Sequence, residues 1–210
     1  MKNVLKIALA LGGLAIIALP ALARDVEAGK TLFTACAACH GENAEGNKVF
    51  NAPRLNHLEP VYIEAQLDKF RSGIRGGEGA SVTSRQMAPM AATLADDQAV
   101  QAVAAYIASL DSAHSAATIE GDATMGGDYY NQFCGACHGA AGQGNLALNS
   151  PRLAGGDDWY LEAQLLAFRA GERGAHPKDT TGRQMRAMAV ILPDEQAVKD
   201  VVAFLHGLEK

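Results

Sequence analysis

The sequence is poor in aromatic residues, with a single Trp, and it has only four cysteines and no strong excess of charge. Each shortage excludes something. Four cysteines, an even count, would invite a disulfide reading in an exported chain, but their spacing argues against it. A formal charge of −5 removes the basic footprint that nucleic-acid binders need. The charges are also evenly mixed. Residues 24–110 carry 8 basic and 10 acidic side chains, as do residues 123–210, so neither half is a strongly charged docking face. With 49% hydrophobic and 20% charged residues, disorder is excluded as well.

Long apolar runs are also missing. The longest, Ile7 to Leu22, falls short of the roughly 20 residues a spanning helix requires and holds Pro20 near its end. Lys2 and Lys6 precede it and Ala21-Leu22-Ala23 stands at its end, the layout of an export leader, residues 1–23, cleaved after Ala23. A retained membrane anchor is the competing reading.

What is present is a duplication. The segment around Cys36 recurs around Cys134, an offset of 98 residues. Cys39-His40 map onto Cys137-His138, Pro53-Arg54-Leu55 onto Pro151-Arg152-Leu153, and Tyr62 onto Tyr160. Gln66 maps onto Gln164, Phe70-Arg71 onto Phe168-Arg169, and Arg85-Gln86-Met87 onto Arg183-Gln184-Met185. Two tandem domains follow, residues 24–110 and 123–210, joined by a Ser/Ala/Thr-rich linker at 111–122.

The readable elements are helices. Val100, Val103, Ala104 and Ile107 share one face of a segment from Asp96 to Leu110, repeated from Asp194 to Leu208. A second helix covers Tyr62 to Arg71, with Gly73 as its stop signal. The Gly-rich stretch Gly73 to Ser84 shows no strand alternation and reads as loop. The fold class is all-α.

All four cysteines fall in Cys36-Ala37-Ala38-Cys39-His40 and Cys134-Gly135-Ala136-Cys137-His138, the attachment signature of c-type haem. Two thiols about one helical turn apart can add to the two vinyl groups of one haem, and the next residue offers its imidazole to the iron. Zinc sites pair such motifs about 15–20 residues apart, and a thioredoxin-like dithiol needs strands between its helices, so both readings fit worse. The expected cofactors are two covalently attached haem c groups, held by Cys36, Cys39, Cys134 and Cys137, with His40 and His138 as iron ligands.

An iron-ligating imidazole usually has its other N–H held by a carbonyl or carboxylate. Pro53 and Pro151 are candidates for that carbonyl, and on the residues alone a plain turn proline is an equal reading. Met87 with Met185, and Met90 with Met188, are the further strong ligand types that repeat. Methionine is also common core filler, so two per copy allow one of each role. His57, His114, His176 and His206 do not repeat and read as surface or structural histidines.

On these residues the chain resembles class I c-type cytochromes, and its two-domain layout resembles the cytochrome c4 family of dihaem proteins. The resemblance implies two tandem class I cytochrome c-like domains. It also implies Met87 and Met185 as sixth ligands, seven residues before Leu94 and Leu192, and Pro53 and Pro151 as acceptors of the proximal histidine bond. It further implies a Gly and an aromatic of the first helix packed on an aromatic of the last, matched by Gly29, Phe33 and Tyr106. In the second copy Gly127 and Phe204 match, but Asn131 stands at the aromatic position, with Tyr130 or Phe133 as the expected substitute.

The function implied is that of a periplasmic electron carrier, free or loosely attached to the membrane. It would pass single electrons from a quinol-oxidising cytochrome bc complex to a terminal oxidase. The alternative is the dihaem subunit of a periplasmic dehydrogenase such as flavocytochrome c sulfide dehydrogenase. A haem enzyme such as a peroxidase would need a releasable coordination position. With methionines kept in both copies, neither enzyme activity nor a small-molecule substrate is expected.

Overall fold

The computed structural model describes residues 18–111 and 115–208. His114 and most of the expected leader lie outside them. In the N-terminal half the helices are α1 (Ala18–His40), α2 (Pro60–Arg71), α3 (Val82–Ala91) and α4 (Asp97–Ala108). In the C-terminal half they are α5 (Ala123–Tyr129), α6 (Gly135–His138), α7 (Asp158–Ala170), α8 (Thr180–Ala189) and α9 (Glu195–His206), with a π-helical turn, Tyr130–Cys134, joining α5 to α6. Among the described residues extended pairing is limited to single bridges, Asn47 with Ala52 and Asn145 with Ser150.

The last helix of each half begins where its sequence dictates. Asp96 and Asp194 are N-caps whose carboxylates accept from the Ala99 and Ala197 backbone N–H groups, both at 2.8 Å. The face read from the sequence is buried: Val100, Val103, Ala104 and Ile107 pack with Phe33, Ile63 and Leu94. Val198, Val201 and Leu205 do the same with Tyr130 and Leu192. α1 lies across α4, and α5 across α9.

The α1–α4 crossing is close because Gly29 has no side chain: a Cβ there would stand 2.0 Å from the Ala102 carbonyl oxygen. In the second half the residue in that role is Gly126, whose Cβ would stand 1.9 Å from the Asp200 carbonyl oxygen. This corrects the assignment of Gly127, which instead lies beside the Phe204 ring. Before the cysteines the two copies are therefore offset by one residue less than after them, and the π turn absorbs the difference. Tyr130 thereby takes the place of Phe33. Its ring is 5.3 Å from Phe204, as Phe33 is 5.5 Å from Tyr106.

One element was not legible. The stretch read as loop ends inside α3, which Ser81 caps by accepting from Ser84 N–H, and α8 is its counterpart, capped by Asp179. Both helices carry the candidate methionines.

The two halves meet through reciprocal contacts. The Arg75 guanidinium donates to Tyr160 Oη (2.9 Å) and Gln164 Oε1 (3.0 Å) of the other half. Arg173 donates to Tyr62 Oη (3.0 Å) and Gln66 Oε1 (3.1 Å). Each guanidinium also stacks 4.5 Å above a phenylalanine of its own half, Phe70 or Phe168. Lys69 adds an ion pair to Asp179 at 2.7 Å.

His57 sits in the same interface, with Nε2 close to Gly156. Burial, then the Arg54 and Arg152 cations, hold its pKa down to about 3. A group depressed from about 6.5 contributes stability that is intact above pH 6.5 and is lost as pH falls towards 3. The urea midpoint should therefore drop between pH 7 and pH 4. His57→Leu should flatten that dependence by about 3 kcal/mol over the interval, and an unchanged slope would contradict this role.

Candidate metal centres

Each Cys-x-x-Cys-His motif ends a helix. Cys36 and Cys39 lie on the last turns of α1, three residues apart and so on one face, and His40 is its final residue. Gly41 then turns the chain with φ +84°, as Gly139 does after His138 with φ +81°. In both halves the first cysteine is half-buried and the second exposed, and all four are free of disulfides. Burial pushes the Cys36 thiol up, and the Cys134 thiol up to about 11. Such thiols are not the low-pKa thiolates of a redox dithiol.

Both motif histidines are buried. His40 Nδ1–H donates to the Pro53 carbonyl at 2.7 Å, and His138 Nδ1–H donates to the Pro151 carbonyl at 2.9 Å. Burial lowers the pKa of each ring, opposed by that carbonyl, and so favours the neutral imidazole that metals bind. His138 Nε2 is buried without any protein partner, as an atom reserved for iron would be. The residues present therefore fit a c-type haem in each half.

The prolines are fixed by their neighbours. A Cβ on Gly46 would stand 2.5 Å from Arg54 N, and one on Gly144 would stand 2.6 Å from Arg152 N. These glycines let the histidine loop close onto the Pro-Arg peptide. Met87 and Met90 lie on α3, Met185 and Met188 on α8, and these helices pack on α2 and α7. Met87 is half-buried and Met90 is 39% exposed; Met185 and Met188 are both half-buried.

The unrepeated histidines are engaged elsewhere. His176 Nδ1 accepts from Lys178 N–H, and His206 Nε2 donates to the Ser115 carbonyl. Sequence reading missed Glu59 and Asp157, carboxylates that reach the Pro-Arg peptide of the opposite half and occupy the same register in the two copies. That repetition was the signal available.

The cytochrome c family model matches residues 26–111 and again 123–209. The thiosulfate dehydrogenase electron acceptor of Stutzerimonas stutzeri (strain A1501) is 38% identical over 74% of this chain and 72% of its own. Cytochrome c4 of Azotobacter vinelandii is 30% identical over 93% of this chain and 94% of its own. The crystal structure of reduced recombinant cytochrome c4 from Pseudomonas stutzeri superposes with a TM-score of 0.68 at 25% identity, covering 88% of this chain and 98% of that one. With a family match over each half and one haem-attachment motif in each, the chain belongs to the cytochrome c family as a dihaem electron-transfer protein of the cytochrome c4 group, with two covalently bound haem c groups.

Proposed function

We propose that Cys36 and Cys39 attach one haem and Cys134 and Cys137 the other. His40 with Met87, and His138 with Met185, would hold the iron of each haem. The domains are residues 24–110 and 123–210 around a linker at 111–122, and residues 1–23 are a cleaved leader that directs the chain to the periplasm. Haem c, when bound, supplies a one-electron ferric/ferrous couple. The chain supplies the rest. Pro53 and Pro151 fix each imidazole's tautomer and leave Nε2 free to ligate. The Met87 and Met185 thioethers would raise the reduction potential, which suits the oxidising end of a respiratory chain. The spacing to buried Leu94 and Leu192 and the exposure of Met90 favour Met87 and Met185 over their neighbours.

Two ligands per iron leave no position for a substrate, so the protein carries electrons and is not itself an enzyme. The observation that carries this reading is the histidine-to-proline bond made in both halves, each with a methionine at the same register. The donor is a quinol-oxidising cytochrome bc complex and the acceptor a terminal oxidase. Mixed with both complexes and quinol, both haems should cycle at the rate of oxidase turnover. Failure to be reduced by the bc complex would contradict the donor.

A second reading rests on the 38% identity to a thiosulfate dehydrogenase electron acceptor. In it, a periplasmic dehydrogenase of the flavocytochrome c or thiosulfate type supplies the electrons. Rapid reduction by such an enzyme and its sulfur substrate, without the bc complex, would select it.

A further inference from the structure

The peptide that holds each proximal histidine is gripped a second time, from the other domain. The Pro53 carbonyl accepts from His40, and the N–H of that same peptide unit, on Arg54, donates to Asp157 Oδ2 at 2.8 Å. In the second domain the Pro151 carbonyl accepts from His138, and Arg152 N–H points to Glu59 Oε2 at 3.4 Å. Each domain thus places one carboxylate against the other's histidine-bearing peptide.

Glu59 and Asp157 are the N-cap residues of α2 and α7, yet neither side chain caps its own helix. An Asp N-cap normally stabilises its helix by accepting from the backbone N–H groups of its own first turn. Asp157 gives this up for a buried bond across the interface, with Oδ2 lying over Gly46, where a Cβ would stand 2.9 Å away.

A carboxylate accepting from the peptide N–H draws that proton towards itself and, through amide resonance, builds negative charge on the carbonyl oxygen. The oxygen becomes a stronger acceptor for Nδ1–H, and the ring becomes a more basic ligand through Nε2. A more basic ligand favours ferric over ferrous iron. The distances follow this order: where the carboxylate bond is shorter the histidine bond is shorter too, 2.7 against 2.9 Å.

We propose that Asp157 of the C-terminal domain tunes His40 of the N-terminal domain through the Pro53–Arg54 peptide, and that Glu59 tunes His138 reciprocally but more weakly. Domain docking then sets the two potentials unequally, with the N-terminal haem held lower than its own domain would set it. This rests on His40 and His138 being the iron ligands.

The test uses the full-length holoprotein, with proton NMR of the reduced state and a potentiometric titration. In the wild type, haem ring-current shifts on the His40 and His138 ring protons identify them as ligands; without those shifts the ligand assignment fails, and this inference with it. Given them, Asp157→Asn should move the His40 Nδ1–H resonance upfield. It should also raise the N-terminal potential, by up to about tenfold in the one-electron equilibrium, ~59 mV, with His138 unmoved. Asp157→Glu should restore the wild-type values, and Glu59→Gln should give a smaller change at His138 alone. Lys69→Met, which cuts the ion pair to Asp179 without touching either peptide, should leave both resonances in place. No shift in Asp157→Asn, an equal shift at both haems, or the same shift in Lys69→Met would overturn the proposal and leave Asp157 a clip between domains.

Discussion

Replacing Met185 by alanine should open the C-terminal haem to carbon monoxide and lower its reduction potential, while the N-terminal haem behaves as before. Ligand identity decides both effects. A thioether is a soft donor that favours the ferrous state, and axial ligands set haem potentials over a span of ~0.8 V. Without it, one coordination position falls to water or to an added ligand. Met185 is half-buried, so truncation should cost no more than the lower end of the ~2–5 kcal/mol seen for fully buried methionines, and the domain should remain folded. A difference spectrum of the reduced variant with and without carbon monoxide reads the outcome, at half the amplitude expected of two open haems. Met188→Ala is the control and should bind none. If Met188→Ala bound carbon monoxide and Met185→Ala did not, the two methionines would exchange roles.

Removing both interface arginines, as Arg75→Leu with Arg173→Leu, should uncouple the domains. Each guanidinium makes two hydrogen bonds to the opposite domain, and none of them goes to a carboxylate. Their loss leaves Tyr62, Tyr160, Gln66 and Gln164 facing an interface that no longer satisfies them. Losing these charge-assisted hydrogen bonds and leaving neutral buried partners unsatisfied costs about 2 kcal/mol per arginine, larger than most surface substitutions by several-fold. Calorimetry should then resolve two unfolding transitions in place of one cooperative transition. A single unshifted transition would mean that the interface carries little of the stability.

Much of this molecule was legible in its sequence because duplication doubles every signal. The haem motifs, the Pro-Arg-Leu segments and the final helix could each be checked against a second copy. The face of Val100, Val103, Ala104 and Ile107 stood out because a 3.6-residue period survives in a helix with one buried side. The helices bearing Met87 and Met185 did not stand out. They are ten residues each, follow glycine-rich segments, and α3 contains Pro89, all of which weaken local helix signals.

The one-residue shift before Cys134 was hidden for another reason. An offset counted from the cysteines backwards cannot see a π turn, whereas the glycine's approach to the Asp200 carbonyl registers it directly. The interdomain pairings were beyond reach for a third. Arg54 with Asp157 and Arg75 with Tyr160 join residues far apart in sequence, and only the docking of two folded domains brings them together.

The most direct test of a closed dihaem carrier is the optical spectrum of the exported protein, oxidised and reduced. A charge-transfer band of sulfur-ligated ferric haem at the strength of two methionine-ligated haems, with no change when carbon monoxide is added to the reduced form, is the predicted result. A band of half that strength, or a carbon monoxide shift in the wild type, would contradict the closed carrier and place an open iron in one domain.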